Sequence, residues 1–356
     1  MTKLLMTCDA VGGVWQYATD LATALKPHGV NTVLAVLGSG GASRVGEGIE
    51  VIDTGLPLDW LASGPEPVMA AGEAVARLAA DVGADLVQLN SPTLACARFD
   101  VPVLAVAHGC VATWWQAARG GAIDPALAWH AELSLRGLAR ADRVIAPSES
   151  FAATLATTYE LSAMPVVVHN GRSVGGPVGK SLAAHVFTAG RLWDAVKGTA
   201  LLDCVAGRLA VPVRAAGPLV APHGDSVMVQ NLIHLETLGP VEIAAELACR
   251  PVYVSTAVFE PFGLAVLEGA QAGCPLVLSD IPTFRELWDG VAMFVDPTDE
   301  AGFAHEIMRL IDDPVAADQL GRAAAARARR YVPERTAKAM AEIYAGLLSQ
   351  SKRMAA

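Results

Sequence analysis

The chain reads as an α/β protein built from two similar doubly wound domains, and three observations predict this. Short apolar runs of strand length alternate with helical patterns from the first residues onward, over short connections. That order builds a mostly parallel sheet covered by helices. The alternation breaks once, in an aperiodic glycine-rich stretch at 169–179, and then resumes. The length of 356 residues suits two domains of roughly 150–180 residues each.

Taken in order, 3–8 reads as a strand, 13–26 as a helix and 31–37 as a second strand. Further strands are expected at 49–53, 85–90, 101–107, 143–147 and 166–169, with helices at 66–82, 125–141 and 148–159. After the connection come a strand at 185–188, a helix at 197–209, strands at 212–216 and 232–235, and a helix at 241–247. A buried strand at 251–254 runs into a Pro-Gly turn (Pro261, Phe262, Gly263) and an Ala/Leu-rich helix at 264–272 closed by Gly273. Strands at 275–278 and 292–295 follow, and helices at 300–311, 314–330 and 334–348 finish the chain. The expected division is 1–170, 171–333 and a final helical segment, 334–356, that crosses back to the first domain. Two such domains facing a central cleft bind ligands at the carboxyl ends of their strands.

The composition fits. Hydrophobic residues make up 53% of the chain and mean hydropathy is +0.40, yet no apolar stretch reaches the ~18 residues a membrane span needs. The excess is Ala, Val and Leu in short runs, as buried parallel strands require. The start is too short for a signal peptide and lacks a cleavage site, so a cytoplasmic protein is expected. Six scattered cysteines show no metal spacing and read as small buried hydrophobes in a reducing compartment. A net charge of −10 with no dominant basic stripe argues against nucleic acid. It leaves room for a small polyanion, because one Arg at ~4 Å is worth about 4 kcal/mol at an effective dielectric near 20.

The candidate residues fall at the expected strand ends. Gly12 and Gly13 open the first helix, where backbone can approach an anion at the amino end. Their spacing is not GxGxxG, and the pair serves equally as a plain turn or as a binding loop. His108, beside Gly109, ends a strand, which brings a site role level with a structural one. Trp114, Trp115 and Trp129 suit core packing or a stacking wall for a sugar. In the second domain Arg191 and Lys197 follow the first strand, a planar fork and a mobile point charge placed where a diphosphate would be held. Glu260 and Glu268 frame the Pro-Gly turn. A hydrogen bond to ligand hydroxyls suits Glu268, inside the helix, better than proton transfer. No DxD sequence occurs to hold a divalent metal on phosphate.

Together these residues resemble the retaining GT-B glycosyltransferases of family 4, over nearly the whole chain. The most specific likeness is Glu260-Pro-Phe-Gly-Leu-Ala-Val-Leu-Glu268, the E-x7-E motif of that family, continued by Ala270-Gln-Ala-Gly-Cys-Pro-Leu-Val. Ala146-Pro-Ser-Glu-Ser and the hinge Asn170-Gly171 add to it. The resemblance implies a GT-B fold and metal-independent, retaining hexosyl transfer with no cofactor beyond a nucleotide-sugar donor. The acceptor would be a glycan, lipid or small molecule. Arg191 and Lys197 would meet the donor diphosphate, and amides of Gly12, Gly13, Phe262, Gly263 and Leu264 the phosphate or sugar. Glu268 would take the ribose hydroxyls, Glu260 would position the transferred sugar, and His108 would lie near it. Two departures stand out: Arg172 follows the hinge Asn-Gly where Val is usual, and the Arg191-to-Lys197 spacing is one residue longer than the commonest form. The alternatives are another GT-B enzyme (an epimerase or phosphorylase) and a silent sugar-nucleotide scaffold. Arg136, Arg140 and Arg143, with Arg327, Arg329 and Arg330, fit either solvated helix faces or peripheral contact at the inner membrane face.

Overall fold

A computed structural model describes residues 1–9, 12–38, 48–173 and 182–355. Ala10 and Val11 of the first glycine loop, and residues 174–179 of the expected connection, lie outside the described residues. The first series of elements is β1 (Thr2–Asp9), α1 (Gly13–Leu25), β2 (Val30–Leu37), β3 (Glu50–Asp53), α2 (Pro65–Asp81), β4 (Leu86–Leu89), β5 (Val103–Val106), α3 (Val111–Ala118), α4 (Ala128–Arg140), β6 (Arg143–Ala146), α5 (Glu149–Tyr159) and β7 (Val166–Val167). The second is β8 (Val186–Ala189), α6 (Thr199–Ala206), β9 (Val213–Ala216), β10 (Ile233–His234), α7 (Pro240–Ala248), β11 (Val252–Ser255), α8 (Leu264–Gln271), β12 (Leu276–Ser279), α9 (Pro282–Trp288), β13 (Met293–Val295), α10 (Glu300–Asp312) and α11 (Pro314–Ala328). Helix α12 (Pro333–Ala355) ends the chain.

These elements form two compact units, Met1–Gly171 with Val332–Ala356, and Arg172–Tyr331. The first holds a parallel seven-stranded sheet in the order β3-β2-β1-β4-β5-β6-β7. The second holds a parallel six-stranded sheet in the order β10-β9-β8-β11-β12-β13. Counted from its own first strand, each sheet runs third, second, first, fourth, fifth, sixth, and the first sheet adds β7 as a seventh. The order reverses between first and fourth strands, and that switch point opens a crevice at the carboxyl edge.

Period-two alternation sends each strand's residues to two separate cores. Leu4, Met6 and Cys8 enter one core with Tyr17, Leu21 and Leu25 of α1, while Leu5 enters the other with Val33 and Val87. In the second unit Leu276 and Leu278 pack on one face and Val277 on the other. Helix α12 completes the first unit: Ala337, Met340, Tyr344 and Leu347, at helical spacing, are buried in the same core as α1.

Several boundaries differ from the sequence expectation. Helix α12 runs past 348 because Ser349-Gln350-Ser351 contains no Gly or Pro to stop it, and Lys352 and Arg353 suit the dipole of its last turn. The expected helix 125–141 opens with a 3₁₀ turn, Pro125–Leu127, before α4. Helices α3 and α9 were not anticipated. Cys204 and Cys249 are exposed, against the expectation of burial, whereas Cys8, Cys96 and Cys274 are buried. Among the described residues no helix is long and apolar enough to cross a membrane.

Candidate active site

In the second unit, β8 and β11 flank the switch point, so the segments leaving their carboxyl ends run side by side. After β8 the chain passes Gly190 and Arg191 into a 3₁₀ turn, Ala195–Lys197. Asp194 caps this turn by accepting from Val196 N at 3.3 Å, and its other carboxylate oxygen takes Arg191 Nη2 at 2.9 Å. Arg191 itself is half exposed and lies 5.7 Å from the Trp193 ring centre. Gly198 follows at φ 69°, so close to the next loop that a Cβ would fall 2.1 Å from Thr256 O. Thr256 Oγ1 donates to the carbonyls of Lys197 (3.2 Å) and Gly198 (3.0 Å), and Val258 N donates to Val196 O at 2.9 Å. The two loops are thereby stapled together. This left-handed glycine is why the helix expected at 197–209 begins only at Thr199, leaving Lys197 in the turn before it.

Stapling brings Lys197 to Glu260. Lys197 Nζ donates to Glu260 Oε2 at 2.5 Å, with the side chains 23% and 17% exposed. The turn after Glu260 is anchored by Phe262, whose buried ring packs edge-on to Tyr331 at 5.7 Å. What this turn can offer a ligand is therefore main chain rather than the Phe262 ring. Gly263 adopts φ 91° and caps α8, where a Cβ would meet Phe284 at 3.1 Å and Glu260 Cγ at 3.3 Å. The first N–H groups of α8, from Leu264 onward, have no acceptor within the helix, an arrangement that favours anions.

Glu268 lies one turn into α8 and is also paired. Arg172 Nε donates to its Oε1 at 2.7 Å, with the side chains 12% and 16% exposed. Arg172 is held from both sides, its N donating to Tyr331 O at 3.2 Å and its carbonyl accepting from Gln271 Nε2 at 2.5 Å. The sequence marked Arg172 only as a departure at the hinge. Its partner was not visible because 96 residues separate the two. The cations Arg172, Arg191 and Lys197 thus each have a carboxylate partner: Glu268, Asp194 and Glu260.

The other predicted residues belong to the first unit. Gly12, at φ 84°, caps α1, and Gly13 is its first residue. Asn90 follows β4 at that sheet's switch point, and His108 lies just beyond β5. His108 Nε2 is 3.1 Å from Asn90 Oδ1, and its ring meets Tyr17 edge-on at 4.5 Å. Burial lowers the His108 pKa to about 4, so the ring is neutral at pH 7. Sequence reasoning missed Asn90, although Gln88 and Asn90 were legible as polar residues alternating with Leu86, Val87 and Leu89 in a strand run.

Four of the remaining candidates are engaged in the structure, and Arg136, Arg143, Arg329 and Arg330 are exposed. Trp115 Nε1 donates to Ala122 O at 2.9 Å, and Trp129 packs against the core beneath α2 and α4. Arg140 donates to Cys96 O, and Arg327 to Leu287 O and Asp289 O, so these two hold main chain. Among the described residues no group of three or more His, Cys, Asp or Glu side chains gathers as a metal site would require.

Two family models match the chain. "Glycosyltransferase Family 4" covers residues 11–174, and "Glycosyl transferases group 1" covers 183–313. A glycogen synthase of Mycobacterium tuberculosis is 36% identical over 119 residues, 33% of this chain and 27% of that protein. A D-inositol 3-phosphate glycosyltransferase of Streptomyces avermitilis is 27% identical over 297 residues, 73% of this chain and 63% of that protein. The chain therefore spans about a quarter to under two thirds of these curated relatives. The crystal structure of the Anabaena protein HepE with UDP-glucose superposes with a TM-score of 0.74 at 19% identity, over 98% of this chain and all of that one. At that identity the match shows the fold alone.

Proposed function

Because the chain belongs to the GT-B glycosyltransferases, with a family 4 domain followed by a group 1 domain, we propose that it moves a hexosyl group from a nucleoside-diphosphate sugar to an acceptor hydroxyl. Retention of anomeric configuration and independence from metal belong to the same reading. The observation that carries it is the Lys197–Glu260 pair at the carboxyl edge of the second sheet, beside the amino end of α8.

The second unit takes the donor. Its diphosphate lies against the amino end of α8 and the main chain of Phe262, Gly263 and Leu264, with Lys197 and Arg191 as counter-charges. The Lys197 ammonium has three N–H donors, so it can keep Glu260 while gaining a phosphate oxygen. Glu260, oriented by that contact, positions the sugar, and Glu268 takes the ribose hydroxyls through the carboxylate oxygen that Arg172 leaves. The first unit takes the acceptor, and Gly12, Gly13 and His108 are its candidate ligand contacts.

The reaction breaks the bond between the anomeric carbon and the β-phosphate oxygen, whose electron pair leaves with the diphosphate. The acceptor oxygen forms the new bond to that carbon and gives its proton to the departing phosphate on the same face. Negative charge therefore grows on the phosphate, where fixed cations and amides stabilise it without reorganising. The test is thermal shift against UDP, GDP, ADP and dTDP, followed by release of that diphosphate from its sugar with and without EDTA. A ligand at 100 times its Kd adds about 2.7 kcal/mol. No shift with any nucleotide, or an epimer or sugar phosphate formed from donor alone, would overturn the reading. Loss of turnover in EDTA would remove its metal-independent part.

A further inference from the structure

A chain of side-chain hydrogen bonds at the carboxyl edge of the first sheet takes its direction from one carbonyl. The Asn90 amide atom 2.6 Å from Thr7 O must be Nδ2, since a carbonyl only accepts. Asn90 Oδ1 then points the other way as an acceptor. The Gln88 atom 3.0 Å from that oxygen must be Nε2, which also lies 3.4 Å from the Tyr17 hydroxyl. Gln88 Oε1 is left to accept from the Tyr344 hydroxyl of α12. His108 Nε2, 3.1 Å from the same Asn90 oxygen, must be a donor as well. Gln88 and Asn90 are 0% and 6% exposed, so neither can exchange these partners for water.

We propose that Asn90 is a positioning residue that fixes His108 as the Nε2–H tautomer, so that the ring presents Nδ1 as a lone-pair acceptor. Such a nitrogen accepts from a hydroxyl and repels a phosphate oxygen. The ligand group that His108 takes is therefore a sugar or acceptor hydroxyl, not the diphosphate. The inference deepens the transferase reading and rests on it for the identity of that hydroxyl; the tautomer itself does not depend on turnover.

The experiment is long-range ¹H–¹⁵N correlation on the full chain labelled at histidine, with His108 assigned by the signal lost in His108→Gln. The expected result is one neutral tautomer, with the proton on Nε2 and Nδ1 showing the shift of an unprotonated nitrogen. In Asn90→Leu the acceptor is gone, and this signature should collapse to a mixture or to the Nδ1–H form. kcat should fall at least tenfold, with a smaller change in donor KM. A mixed or Nδ1–H ring in the wild type overturns the proposal, as does an unchanged signature in a folded Asn90→Leu protein. The wild-type spectrum decides alone if that variant does not fold. Correct tautomer in a protein that transfers no sugar would sink the transferase reading and leave the Asn90 assignment standing.

Discussion

Lys197 is paired with Glu260, so a diphosphate bound at this edge as proposed would share a cation rather than find a bare one. Lys197→Ala should weaken nucleoside-diphosphate binding at least tenfold, about 1.4 kcal/mol; an unchanged Kd by calorimetry would remove Lys197 from the phosphate site. Arg172 and Glu268 form a second pair that is mostly out of water. Arg172→Ala strands the carboxylate, so the costs of Arg172→Ala and Glu268→Ala added together should exceed the cost of the double substitution. A double-mutant cycle by urea denaturation should give about 1–3 kcal/mol of coupling, and zero coupling would make the contact incidental. His108 carries a pH signature of known sign. Its pKa lies near 4 folded and about 6.5 unfolded, so within that window the unfolded chain binds the extra proton. Stability should fall as pH drops from about 6.5 to about 4, by up to about 3 kcal/mol from this group. His108→Gln should flatten that part of the curve, and equal slopes in the two proteins would refute the assignment. Glu260, Lys197 and His108 could be picked out by position at strand and turn ends, and Glu268 by its spacing from Glu260. Arg172 and Asn90 could not, because their importance comes from partners brought near only by folding.

At the scale of elements, legibility followed the strength of the end signals. The strands of both sheets were readable because buried parallel strands are short, apolar and bounded by turns. Helix α3 was not, because its N-cap is Cys110, whose sulfur accepts from Thr113 N at 3.5 Å, and cysteine is not a residue that announces a helix. Helix α9 has Pro282 at its first turn but no side-chain cap, and its seven residues are too few for a clear period. The last helix was readable by its apolar spacing, but its polar function was hidden. Tyr344 supplies the donor for a Gln88 oxygen that has no access to water. Tyr344→Phe keeps the packing and leaves that oxygen unsatisfied. Chemical denaturation should show a loss of about 1–3 kcal/mol, and a stability within error of wild type would mean that Gln88 re-pairs.

For the molecule as a whole, two sheets of the same strand order arise from one pattern used twice, which is why the fold class was visible in strand and helix alternation. The E-x7-E stretch then distinguished the second sheet's edge. One feature of the main chain reaches further. Gly171 lies so close to Val332 that a Cβ on it would fall 2.3 Å from that residue's carbonyl carbon, and Arg172 N donates to Tyr331 O at 3.2 Å. The main chain therefore leaves the first unit and re-enters it at a single crossing. In engineering terms the second unit is a cassette, with both ends at one splice point and a core of its own. Residues 172–331 expressed alone should melt cooperatively and bind a nucleoside diphosphate within tenfold of the intact chain. A non-cooperative melt would show that the excised core is not self-sufficient. Donor preference would then be a transplantable property, exchanged between such chains by a graft at this one crossing.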